Sequence, residues 1–138
     1  MTLTPHEAET IIASGLARLP LDGRRVLVII PDATRSIPLP FLFKAITDHL
    51  LRRAQAVDYL VALGTHPPMS EAALLRLVGL TPEQKARGYG RVRLLNHAWQ
   101  DPEALVTLGT LSAGEVETLS GGLLPMPAGV PVRINKRV

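Results

Sequence analysis

The sequence predicts an α/β fold: a Rossmann-like three-layer domain with a mainly parallel sheet and a β-rich C-terminal extension. Two observations carry that expectation. Three short apolar runs, at 26–30, 56–63 and 92–95, alternate with segments of helical periodicity. Such alternation implies parallel strands joined by right-handed crossovers, with helices on both faces. Beyond Asp101-Pro102 the helical spacing gives way to short strand-like pieces between Gly-, Pro- and Ser-rich stretches.

The first element is a helix. Thr4 is its N-cap, Pro5 sits in its first turn and Glu7 completes a capping box. Ala8, Ile11, Ile12, Leu16 and Leu19 recur at helical spacing and predict one face packed on a core. Pro20 and Asp22-Gly23 end this helix and turn the chain into Val26-Leu27-Val28-Ile29-Ile30, which stops at Pro31. The run is short and β-branched, so it reads as a central strand buried on both faces. Leu39, Leu42, Ala45, Ile46, His49 and Leu50 then predict a second helix of about four turns.

Ala56 to Leu63 is the second strand, followed at once by Gly64-Thr65-His66. Ser70 caps a third helix that turns Ala73, Leu74, Leu77 and Val78 inward and ends at Gly79. Thr81-Pro82-Glu83-Gln84 opens a short fourth helix ending near Gly88. Val92 to Leu95 is the third strand, and Asn96-His97 follow it. In the last part, Leu105 to Leu108, Val116 to Leu119 and Val130 to Ile134 read as strand-like, with no pairing assignable.

Composition narrows the function classes. The chain has 138 residues, 46% hydrophobic and 20% charged, which fits one globular domain and not a disordered segment. No apolar run approaches the ~20 residues of a membrane span, so no membrane partner is expected, and a cytoplasmic location follows by default. With no cysteine, disulfides and thiolate metal sites are excluded. The net charge is +3, and 12 arginines outnumber 3 lysines. A nucleic-acid binder groups its charge and interleaves aromatics to stack on bases. Here the arginines are scattered and aromatics are 4%, so nucleic acid is not an expected partner, and a small anion fits the charge better.

The functional signal lies at the three strand ends. In a parallel sheet all three C-terminal ends share one edge, where open α/β sheets bind ligands. Asp32, Thr34 and Arg35 follow the first strand, Thr65 and His66 the second, and Asn96 and His97 the third. Asp32 either caps the following turn or faces a ligand. Arg35 can clamp a carboxylate or phosphate, because guanidinium binds such groups with two parallel hydrogen bonds. Gly64 lets the backbone turn sharply, and an imidazole at His66 can exchange a proton near neutrality. His97 either fixes its loop beside Trp99 and Asp101 or joins the site. GxGxxG, P-loop, GxSxG and HExxH motifs are all missing, which argues against an ordinary dinucleotide site.

Asp32-Ala33-Thr34-Arg35 with Pro38, Ala62-Leu63-Gly64-Thr65-His66 with Pro68-Met69 and Glu71, and Asn96-His97 with Trp99 and Asp101 together resemble the N-terminal domain of nickel-dependent lactate racemases. Leu108-Gly109-Thr110 and the segment from Gly129 to Asn135 resemble it too. The resemblance implies that residues 1–138 form a single α/β domain, the N-terminal lobe or a fragment of a larger two-lobed enzyme. It implies a nickel-pincer nucleotide cofactor and a small 2-hydroxy acid substrate. A histidine would remove the hydroxyl proton while hydride passes to the cofactor and returns to the opposite face.

On that analogy His66 and Arg35 are catalytic, as acid/base and carboxylate holder. Asp32, Thr34, Thr65 and His97 bind the cofactor, and no residue here binds metal. Two departures stand out. Pro67 occupies a place where relatives often carry arginine. The cofactor-tethering lysine, the nickel-binding histidine and a second catalytic histidine have no counterpart, so a missing C-terminal lobe is the expected partner. The chain alone is expected neither to hold nickel tightly nor to racemise. A homo-oligomer joined through an exposed interlobe surface is a further expectation. The alternative is a non-catalytic module binding a small anion or nucleotide in the same crevice.

Overall fold

The computed structural model describes residues 3–138, which resolve into two compact units, one ending at His97 and the other running from Ala98 to Val138. The first unit runs α1 (Pro5–Ala17), β1 (Arg25–Pro31), α2 (Leu39–Arg53), β2 (Ala56–Ala62), α3 (Glu71–Leu77), α4 (Pro82–Gly88) and β3 (Val92–Asn96). The second contains a 3-10 turn (Pro102–Ala104), β4 (Leu105–Leu111), α5 (Ala113–Leu119) and β5 (Val130–Asn135). The chain is therefore α/β, with one parallel three-stranded sheet and one antiparallel pair. Among the described residues no helix is long and apolar enough to cross a membrane.

The parallel sheet has the order β1-β2-β3, so β2 is central and β1 is an edge strand. This corrects the reading of Val26–Ile30 as a central strand buried on both faces. Only one of its faces is covered: Ile30 is buried, whereas Ile29 is 56% exposed. Pro31, still within β1, fits an edge, because a strand that pairs on one side can spare an N–H. Every residue from Val57 to Val61 in β2 is buried, as a central strand requires.

Strands laid down in one direction by right-handed crossovers place successive crossover helices on the same face. Accordingly Leu39, Phe43 and Leu50 of α2 and Leu74 of α3 join one core with Ile30, Val57, Tyr59, Val61 and Val92. This replaces the expected split of crossover helices between both faces. Helix α2 turns Leu39, Phe43, Thr47 and Leu50 inward, a face centred on Phe43 and Thr47 and not on Leu42, Ala45 and His49. Thr47 is tolerated there because its hydroxyl hydrogen-bonds the Tyr59 hydroxyl at 2.8 Å. Phe43 packs against the rings of Tyr59 and Tyr89, with centroids 4.8 and 5.4 Å away. Burial pushes the Tyr59 phenol up to about 12, since its charged form would sit in an apolar core.

Local capping signals hold wherever the sequence shows them. Thr4 with Glu7 and Thr81 with Gln84 form complete capping boxes, and Ser70 accepts from the Ala73 N–H at 3.3 Å. Helix α1 buries less than its periodicity predicts: Leu16 packs on the core, while Ile11 and Leu19 are 57% and 47% exposed. Arg53 ties its end down by donating to the Leu16 and Leu19 carbonyls and to both oxygens of Asp22.

In the second unit β4 pairs antiparallel with β5, with a register shift between Thr107 and Gly109. The expected strand at Val116–Leu119 is instead the last half of α5. Ser112 and Glu115 form a capping box there, and a satisfied helix start outweighs the short apolar pattern after it.

Candidate active site at the strand ends

Register brings the ends of β1 and β2 level, because Pro31 pairs with Ala62. The residues just beyond them therefore leave the sheet side by side. Asp32 is buried, 8% exposed, and makes contacts with both carboxylate oxygens. Its Oδ1 accepts from the Thr34 N–H at 3.0 Å and from the Thr34 hydroxyl at 2.5 Å. Its Oδ2 lies 2.5 Å from Nδ1 of His66, thirty-four residues away in sequence.

These donors hold the Asp32 carboxyl at about 2, below its ordinary 3.8. The Thr34 hydroxyl is the largest cause, followed by His66 and the Thr34 N–H. A carboxylate ionised at neutral pH can only accept hydrogen bonds, so the shared proton belongs to Nδ1 of His66. In a neutral imidazole that leaves Nε2 as the lone-pair nitrogen. The His66 side chain is 56% exposed, so the ring is anchored on one side and open on the other.

The loop around His66 is built to present it. Leu63 is buried, and Gly64 takes φ +59, a left-handed conformation that glycine adopts without steric cost. The His66 N–H then donates to the Leu63 carbonyl at 3.0 Å, closing the turn. Thr65 is exposed in that turn.

Arg35 belongs to the turn that Asp32 opens, with its N–H 3.4 Å from the Asp32 carbonyl. Its side chain is exposed and, among the described residues, makes no hydrogen bond or ion pair. A cation that no neighbouring carboxylate neutralises suits an incoming anion. At the third strand end the His97 N–H continues the ladder to the Val61 carbonyl at 3.1 Å. The Asn96 side chain instead holds the loop after His66, through the backbone of Met69.

Of the residues singled out in the sequence, the structure joins Asp32, Thr34 and His66 directly. It puts Arg35 in the same turn as Asp32, and Thr65 and His97 at neighbouring strand ends. The role of the Asn96 amide was not legible beforehand, since the sequence marks Asn96 only as one of two polar residues after a strand. No group of three or more His, Cys, Asp or Glu side chains among the described residues is placed to hold a metal ion.

No curated protein matches the chain. The crystal structure of a Thermotoga maritima protein superposes with a TM-score of 0.81 at 29% identity over 98% of this chain. The chain spans only 30% of the length of that protein. A family model described as the lactate racemase N-terminal domain matches residues 8–120. The chain belongs to the lactate racemase N-terminal domain family.

Proposed function

We propose that this chain is the N-terminal α/β lobe of a two-lobed enzyme that inverts the α-carbon of a small 2-hydroxy acid such as lactate. The observation that carries this reading is the 2.5 Å contact between Asp32 and Nδ1 of His66. It sets the tautomer and the direction of the ring, so that Nε2 meets the substrate as a base. An oriented imidazole with a free ring nitrogen can take a hydroxyl proton and return it. Arg35 binds the substrate carboxylate, and holding both groups at once brings the hydroxyl to Nε2.

Asp32 is assigned to orienting His66 and not to touching a cofactor, because Thr34 and His66 already engage both of its oxygens. Thr34 keeps that carboxylate ionised. Thr65 and His97 are assigned to the nucleotide cofactor from their positions at the ends of β2 and β3. A metal-bearing pincer nucleotide would draw its metal ligands from the second lobe.

Racemisation of D-lactate by the assembled two-lobed enzyme tests the assignment. Arg35→Ala is expected to raise KM for lactate at least ~10-fold, and His66→Ala to lower kcat by ~100-fold or more. Unchanged turnover in His66→Ala would remove His66 from the reaction.

A further inference from the structure

Asn96 closes β3, paired in register with Val61. Its side chain does not continue the sheet and points at a loop. Oδ1 accepts from the Met69 N–H at 3.1 Å, and Nδ2 donates to the Met69 carbonyl at 2.9 Å. One side-chain amide thus engages both polar groups of a single backbone residue, as a neighbouring strand does. A primary amide offers a donor and an acceptor side by side, and an aspartate carboxylate, which only accepts, does not reproduce that pairing with a backbone residue.

Met69 lies three residues after His66 and directly before Ser70, the N-cap of α3. Between His66 and Met69 stand Pro67 and Pro68. Proline fixes φ near −65° and has no N–H, so this bridge is stiff and makes no backbone donor bonds of its own. A stiff bridge transmits the position of one end to the other. The segment is held at its start by the His66 contact with Asp32 and at its end by Asn96. All three parallel strands therefore send a polar side chain or turn to one short loop: Asp32 from β1, the Gly64 turn from β2 and Asn96 from β3.

We infer that Asn96 is a positioning residue for His66, clamping Met69 so that the Pro67-Pro68 bridge holds the imidazole against Asp32. The clamp is read from geometry alone, while its bearing on catalysis rests on the role proposed above for His66. It also accounts for an amide at a strand end that the acid/base and carboxylate assignments leave unused.

The test uses the 138-residue chain with 15N-labelled histidine. The Asp32 contact is followed through the 15N shifts of His66, which report the tautomer, and through exchange of its Nδ1 proton with water. Asn96→Ala is expected to speed that exchange at least ~10-fold and to mix the two tautomers, while His6 and His49 keep their signals. Asn96→Asp, which can accept from Met69 but cannot donate to it, is expected to fall between wild type and Asn96→Ala. It serves as the reporter if the alanine variant does not fold. Unchanged His66 shifts and exchange in a folded variant would overturn the inference. If the His66 signals change as expected while His66→Ala leaves turnover of the assembled enzyme intact, the clamp stands and the catalytic reading of His66 fails.

Discussion

Removing the Thr34 hydroxyl tests the electrostatics of the site at its largest contributor. Thr34→Ala deletes the 2.5 Å hydrogen bond to Asp32 Oδ1 but leaves the Thr34 N–H and the His66 ring in place. In the native chain the Asp32 carboxyl titrates at about 2. At pH 3 about nine-tenths of such a group is ionised, against roughly one-seventh at its ordinary 3.8. The variant must fall between these limits, so protonation of Asp32 begins at a visibly higher pH. The sign for stability follows from linkage. A carboxyl depressed by folding stabilises the native state above its unfolded value of 3.8, and that contribution disappears as pH falls through about 2. Thr34→Ala should therefore be less stable than wild type at pH 6–7, where this contribution is complete, and the difference from this source should shrink as pH falls from 4 towards 2. The assay is a 13C NMR titration of the Asp32 carboxyl with urea melts at pH 6 and pH 3. An Asp32 midpoint that does not move in Thr34→Ala would refute the assignment of Thr34 as the dominant donor.

Four further outcomes concern the scaffold that carries the site. Phe43 is 1% exposed between Tyr59 and Tyr89, so Phe43→Ala should cost about 3–5 kcal/mol in urea unfolding. Tyr59→Phe removes the partner of the fully buried Thr47 hydroxyl and should cost about 1–3 kcal/mol by the same measurement. In the native chain the Tyr59 phenol should stay neutral until near pH 12, followed by its ultraviolet absorbance. Gly79→Ala places a Cβ 2.6 Å from the Pro40 Cβ at a residue with φ +71, and a drop of more than ~1 kcal/mol is expected.

Local signals carried most of what the sequence showed of this fold. Thr4-Pro5-His6-Glu7 and Thr81-Pro82-Glu83-Gln84 declare helix starts within four residues, because each box satisfies its own backbone donors. Ser112 to Glu115 carries the same signal, yet the β-branched Val116 and Thr118 suggested a strand. The capping box was the stronger evidence. Strand order was less legible. Val26–Ile30 reads as a buried central strand by composition, and only Pro31 hints at an edge. Thr47 does not read as a core position in the sequence, because its partner, the Tyr59 hydroxyl, comes from another element. At the site, the polar residues could be placed at three strand ends of one sheet. Their pairings depend on register and on side-chain reach: Asp32 to His66 spans thirty-four residues and Asn96 to Met69 twenty-seven, beyond any periodicity in the chain.

The central claim is that Asp32 holds His66 by Nδ1 and leaves Nε2 as the free base. The 15N spectrum of His66 in the native chain near pH 8 tests it most directly, because protonated and lone-pair ring nitrogens resonate far apart. The account predicts a protonated Nδ1 and a lone-pair Nε2, a pattern that Asp32→Ala should abolish. A His66 ring protonated mainly at Nε2, or one whose tautomer is indifferent to Asp32, would contradict it.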